Sequence, residues 1–171
     1  GENPELTGDA NFAQLLHSLI ARWITEPAPG VRNRLTFQTA YQAFDANAFG
    51  VFGFKVSQVP VSLRDELDWR LSDWLDARLG ISATVNPTTA NITLPMPPEP
   101  GQVSPPLGSQ EILSTKEDWL IGRVSPFVSL EFKPFPWWTL VPSLRADLWM
   151  GYYQNYNVDP RLSMRFDLSD E

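Results

Sequence analysis

The sequence predicts an all-β fold: an antiparallel transmembrane β-barrel section of about seven long strands, with short periplasmic turns and long extracellular loops, forming part of a larger barrel. Three observations predict it. Apolar residues recur at every second position, opposite a set that is largely polar and charged. The alternating runs are roughly 12–15 residues long, beyond the ~5–6 of ordinary sheets and above the ~9–11 that cross a hydrocarbon core. The connections between them alternate between short and long.

The elements follow in order. Strands are expected near 12–25, 32–44, 57–71, 74–86, 119–133, 137–150 and 158–168. In the first, Phe12, Leu15, Leu16, Leu19, Ile20 and Trp23 also fit helical spacing, so helix and strand both stand there, and context favours strand. The second alternates through Leu35, Phe37, Thr39 and Tyr41. The third has Val59, Val61, Leu63, Asp65, Leu67, Trp69 and Leu71 on one face. Its other face carries Arg64, Glu66, Asp68 and Arg70. After a tight turn the fourth sets Leu75, Ala77, Leu79, Ile81, Ala83 and Val85 against Asp76, Arg78, Ser82 and Thr84. This is a hairpin, and placing Leu71 opposite Leu75 puts Arg70 opposite Asp76 and Asp68 opposite Arg78. The fifth and sixth alternate about a Pro134-Phe135-Pro136 turn. Placing Phe132 opposite Trp138 puts Arg123 opposite Asp147. The seventh sets Pro160, Leu162, Met164 and Phe166 against Asp159, Arg161, Ser163 and Arg165. The segment 87–118 holds seven prolines and no alternation, and is expected to be a mobile extracellular loop.

Asp65 falls on an apolar face, where a bulge is expected to rotate it away. Pro126 and Pro142 interrupt strands and predict bulges or missing ladder bonds. Trp74, Trp137 and Trp138 mark the short-turn ends. Trp119 and Trp149, with Tyr152 and Tyr153, mark the opposite ends, as two interfacial girdles would.

Composition narrows the function classes. Of 171 residues, 43% are hydrophobic and only 19% charged, which excludes a disordered tail. A net charge of −7 argues against nucleic acid as a partner. Without cysteine there are no disulfides, thiolate metal sites or thiol chemistry. No apolar run approaches the ~20 residues of a membrane helix, and no secretion signal is visible.

The segment Val124–Asp170 resembles the later barrel strands of TonB-dependent outer-membrane receptors. The likeness rests on Ser125-Pro126-Phe127-Val128-Ser129-Leu130-Glu131-Phe132-Lys133-Pro134, on Thr139-Leu140-Val141-Pro142-Ser143-Leu144-Arg145-Ala146-Asp147, and on Asp159-Pro160-Arg161-Leu162-Ser163. Ser143 stands where the pattern usually has glycine. With the hairpin 58–86 compatible but less distinctive, the resemblance covers about half the chain. It implies a barrel of about twenty strands, a bacterial outer-membrane location and nutrient uptake. It further implies a plug domain, an energy-coupling protein and further barrel strands as partners. The alternatives are a passive component of a multi-chain barrel and a soluble β-domain that binds a partner.

The candidate site is therefore a lumen face rather than a catalytic centre. Its charged positions are Arg64, Glu66, Asp68, Arg70, Asp76 and Arg78 in the first hairpin, and Arg123, Glu131, Arg145, Asp147, Arg161 and Arg165 in the later strands. Trp149, Tyr152, Tyr153 and Tyr156 form a candidate ligand-contact loop. His17 is the only histidine, so no histidine metal site or Ser-His-Asp triad is expected. No enzyme activity, metal or cofactor is expected. Asn155, Asn157 and Asp159 have oxygen-ligand spacing and are read as a polar loop tip.

Overall fold

The computed structural model describes residues 9–97, 100–103, 110–151 and 154–167. It is all-β and antiparallel. Among the described residues eight strands follow one another: β1 (Ala10–Ala28), β2 (Val31–Ala48), β3 (Phe52–Gln58), β4 (Val61–Ser72), β5 (Leu75–Pro95), β6 (Ile112–Phe135), β7 (Trp138–Gly151) and β8 (Asn155–Phe166). Their order in the sheet is β1-β2-β3-β5-β6-β7-β8, with β4 also paired to β2 and β5. Among the described residues, β1 and β8 each have a single neighbour and are the sheet edges. The chain groups into two compact units: residues 1–18, 40–60 and 86–120, and residues 19–39, 61–85 and 121–171.

In the first unit, β2 and β3 form a hairpin, with Ala48 opposite Phe52 and Gln42 opposite Gln58. Its turn has φ of 55° at Phe49 and 69° at Gly50, closed by Val51 N–H donating to the Ala48 carbonyl at 3.2 Å. Positive φ at both central residues is the type I′ geometry that suits strand twist. The strand expected near 57–71 starts earlier and is split after Gln58. Pro60 has no N–H to give a ladder. Backbone bonds of 3.1 Å from Ala40 N–H to the Pro60 carbonyl and from Val59 N–H to the Pro87 carbonyl bridge the break.

The expected loop 87–118 is shorter than its composition suggested. β5 runs on to Pro95, paired to β3 from Thr88↔Gln58 to Thr93↔Gly53. The reason lies in the alternation. Even positions of β5 are polar or glycine from Asp76 to Thr88, then apolar at Ala90, Ile92 and Leu94. A period-two reading keyed to one face stops where the two faces exchange character. β6 likewise begins at Ile112 rather than near 119. The ambiguous segment 12–24 is strand throughout.

In the second unit, β4 and β5 pair with Asp68 opposite Arg78 and Arg70 opposite Asp76, as the hairpin predicted. The turn itself is tighter than expected: Ser72 faces Leu75, after a register shift between Arg70 and Ser72. At the β1–β2 turn, Gly30 has φ of 76° and its carbonyl accepts the Arg70 N–H at 2.8 Å.

The β6–β7 register corrects an expectation. Phe132 faces Leu140 and Arg123 faces Trp149, not Asp147. The strand continues through Pro134, so the turn is Pro136-Trp137 and Phe135 pairs with Trp138. The irregularity this needs lies between Phe132 and Phe135, where Pro134 has no N–H to contribute. Through Pro126 the β6–β7 register is unshifted, and Pro142 keeps its place opposite Leu162. No bulge was needed at either; the ladder instead skips Ser125 and Pro126, and skips Leu130 and Glu131 where they face Pro142 and Val141, the local gaps expected of residues without an N–H.

Candidate functional site

Direct opposition across a ladder puts two side chains on the same face. In the second unit this sorts the strands into two faces of opposite chemistry.

One face is a charge ladder. Arg34 of β2 reaches Glu66 at 3.5 Å and Asp68 at 3.8 Å in β4. Arg64 reaches Glu66 at 2.8 Å. Arg78 of β5 donates to Asp68, and Arg70 lies 3.7 Å from Asp76. Lys133 of β6 then joins Asp76 at 3.2 Å to Glu131 at 2.8 Å. A cleft of about 910 Å³ opens among Arg32, Asp68, Arg70, Arg78, Glu131 and Lys133. Acids and bases alternate, so the cleft presents no strong field of one sign. Each exposed pair contributes at most about 1 kcal/mol, and together they fix register more than they stabilise.

Two ring contacts complete this face. The Arg64 guanidinium lies 5.1 Å from the centre of the Phe127 ring. That ring covers Gly80: a Cβ there would lie 2.8 Å from it and 2.4 Å from the Asp65 carbonyl. Further along, Ser125 is fully buried and its hydroxyl donates to Asp147. Asp147 also accepts from Arg145 at 3.0–3.2 Å. Arg123 stacks over Trp149 at 5.1 Å instead of pairing with a carboxylate. In β8, Arg161 pairs with Asp159, and Arg165 with Asp167 at 3.2 Å.

The other face is apolar and exposed. Leu63 and Ile81 are 48% and 47% exposed, as are Leu35, Leu79, Val128, Leu144 and Leu162 to similar degrees. The Glu66 and Asp147 side chains, on the charged face, are only 12% and 15% exposed. Rings stack at the short-turn end. Trp138 lies against Phe166 at 6.0 Å and 5° between planes, Phe135 against Trp137 at 5.4 Å and 6°, and Trp74 against Phe132 at 6.2 Å. The tryptophans were legible in the sequence; their phenylalanine partners depend on a register that was not.

Asp65 stays on the apolar face. The ladder from Val61 to Arg70 has no shift, so no bulge turns it, and it sits opposite Leu35 and Ile81. Its partner is Asn33, whose Nδ2 donates to Oδ1 at 2.7 Å. Sequence reading missed Asn33, although it was the polar interruption between Val31 and Leu35.

Of the candidate ligand-contact loop, Tyr152 and Tyr153 lie outside the described residues. Trp149 is opposite Arg123 and Tyr156 opposite Leu148, which puts the two on different faces. Asn155, Asn157 and Asp159 lie in β8 rather than at a loop tip, opposite Trp149, Asp147 and Arg145. In the first unit, Thr89 donates to Asp118 at 2.5 Å. That bond, aided by Lys116, holds the carboxyl below the usual aspartate range. Among the described residues no group of three His, Cys, Asp or Glu could hold a metal. Compared with protein-family models, with curated proteins and with solved structures, the chain matches none.

Proposed function

We propose that this chain forms part of the wall of a bacterial outer-membrane β-barrel, in a transport receptor of TonB-dependent type that takes up a scarce nutrient. One observation carries the reading: along the middle of β4 to β7 the apolar positions are the exposed ones, while Glu66, Ser125 and Asp147 on the charged face are enclosed. A soluble sheet buries its apolar face, whereas a barrel wall turns it to lipid and its polar face to a wet lumen.

The dimensions support the same reading. Ten residues separate Trp138 in the stacked rings from Leu148, which faces Tyr156. At about 3.4 Å per residue and a tilt near 45°, that is a band about 24 Å tall, close to the ~25 Å of known barrels. In β5 the apolar odd positions run from Leu75 to Val85 and then give way to Thr89, Asn91 and Thr93. A strand leaving lipid for water should change in this way. The unpaired edges of β1 and β8 imply further barrel strands, since unpaired backbone at hydrocarbon depth costs several kcal/mol per group. The transport role, the plug and the energy-coupling partner rest on the sequence resemblance.

The compensated charge ladder also suits a passive wall component of a multi-chain barrel. Ion conductance of the native complex in a planar bilayer separates the two. A receptor closed by its plug conducts no steady current, and a continuous open-pore conductance would contradict the receptor reading.

A further inference from the structure

In the second unit β4 stands between β2 and β5, so the strands run β1-β2-β4-β5-β6-β7-β8 across it. Each is antiparallel to its neighbours. The pair with the longest connection conforms: the Trp74 carbonyl, just before β5, accepts from Lys133 near the end of β6 at 2.8 Å. Seven strands are an odd set, so the first and last run the same way. β1 and β8 therefore point in one direction, and each has a single neighbour among the described residues.

Charge distinguishes the two edges. Glu26 of β1 pairs with Arg32 at 3.0 Å, which places it on the face that carries Arg34. Arg22, four residues earlier on the same strand, shares that face. Among the described residues Arg22 has no hydrogen-bond or ion-pair partner. At the other edge, Asp159 is already answered by Arg161, and Asp167 by Arg165.

We propose that both edges are sealed by strands that do not come from a copy of this chain and that run opposite to β1 and β8. An odd number of them leads round from β8 to β1, and the one beside β1 sets an aspartate or glutamate against Arg22. The inference rests on the membrane reading above. A copy inserted with its short turns on the same side of the bilayer carries β1 and β8 in the same direction as the first. Every seam between copies, whether β1 to β8, β1 to β1 or β8 to β8, is then parallel. Parallel pairing is weaker per residue, and single-chain bacterial barrels are antiparallel with an even number of strands. An odd number of added strands makes the total even. A copy also brings no unspent acid to Arg22, since Asp159 on the charged face of β8 is held by its own arginine.

Strand direction is read by photo-cross-linking in the full protein in its native membrane. Benzoylphenylalanine is placed singly at Ala21 and Thr25 on β1, and at Val158 and Leu162 on β8, and each adduct is mapped by mass spectrometry. A nitroxide on Leu144→Cys reports lipid or water in the same membranes. The proposal expects each pair of positions to mark one segment outside these eight strands. The adduct of the earlier position should lie later in that segment, as an antiparallel neighbour requires. Between the two β1 adducts the segment should hold an aspartate or glutamate. Adducts in the same order, adducts in any strand of a second copy, no acid between the β1 adducts, or no adducts while the nitroxide reports lipid overturns the seams and leaves the membrane reading intact. A nitroxide relaxed by a water-soluble nickel chelate overturns the membrane reading, and the seams with it.

Discussion

Asp68 of β4 lies directly opposite Arg78 of β5, and the guanidinium donates to the carboxylate. The same carboxylate is 3.8 Å from Arg34 of β2, so one acid ties three neighbouring strands into a single register. A one-residue slip would send each of these charges to the apolar face. The pairing therefore fixes which face carries the charges.

Reversing that pair tests its role. Asp68→Arg sets like charges opposite each other and should destabilise the fold by about 0.5–1 kcal/mol. Adding Arg78→Asp should recover only part of this, because Arg34 then faces a new arginine and keeps only Glu66. Equilibrium unfolding in urea with a double-mutant cycle measures the coupling, and strict additivity would mean that the pair contributes nothing.

Gly80 is required by contact. Gly80→Ala would press a methyl group on the Asp65 carbonyl and the Phe127 ring. A loss of about 1–3 kcal/mol is expected from such overpacking. Trimming the ring with Phe127→Ala should relieve only part of it, since the carbonyl remains. A Gly80→Ala protein as stable as the parent would show that the strands do not approach this closely.

The two faces should respond in opposite ways to a new charge. Leu79→Arg, on the apolar face, should cost about 2–4 kcal/mol if it sits near the bilayer midplane. Thr84→Arg, on the polar face five residues away and opposite the uncharged Ser62, should cost little. Refolding into lipid vesicles measures both, and equal costs would count against the facial assignment.

Asp118 gives a pH test outside the proposed membrane band. Its carboxyl is held below the ordinary value by the Thr89 hydroxyl and then by Lys116. A depressed value means that the folded state favours the ionised form. The associated stability is present above the unfolded pKa of about 4 and is lost as pH falls through the folded value. Thr89→Val should move the Asp118 titration upward toward the ordinary value, read by NMR of a labelled aspartate. A titration unmoved by Thr89→Val would remove the hydroxyl as the cause.

Much of this fold was legible because period-two alternation survives wherever one face keeps its character. Arg70, Asp76, Asp68 and Arg78 could be paired in advance because the Ser72–Leu75 turn is short and the bulge beside it restores the register. The second hairpin misled because Pro134 looked like a turn residue, yet the strand tolerates it and turns two residues later. The upper part of β5 was missed because Ala90, Ile92 and Leu94 exchange faces with Thr89, Asn91 and Thr93. Asn33 was missed because its partner lies 32 residues away on another strand, so the polar interruption it makes in β2 does not say what it pairs with.

The central claim is that the exposed apolar face meets lipid and the charged face meets water. Single cysteines at Val61, Leu79 and Leu162 on one face, and at Ser82, Ser129 and Ser163 on the other, can each carry a nitroxide in the native membrane. Paramagnetic accessibility then compares oxygen, which concentrates in lipid, with a water-soluble nickel chelate. The account predicts oxygen-dominated collisions for the first set and nickel-dominated collisions for the second. Nickel access at Val61, Leu79 and Leu162 equal to that at the serines would contradict it and return the chain to a sheet in water.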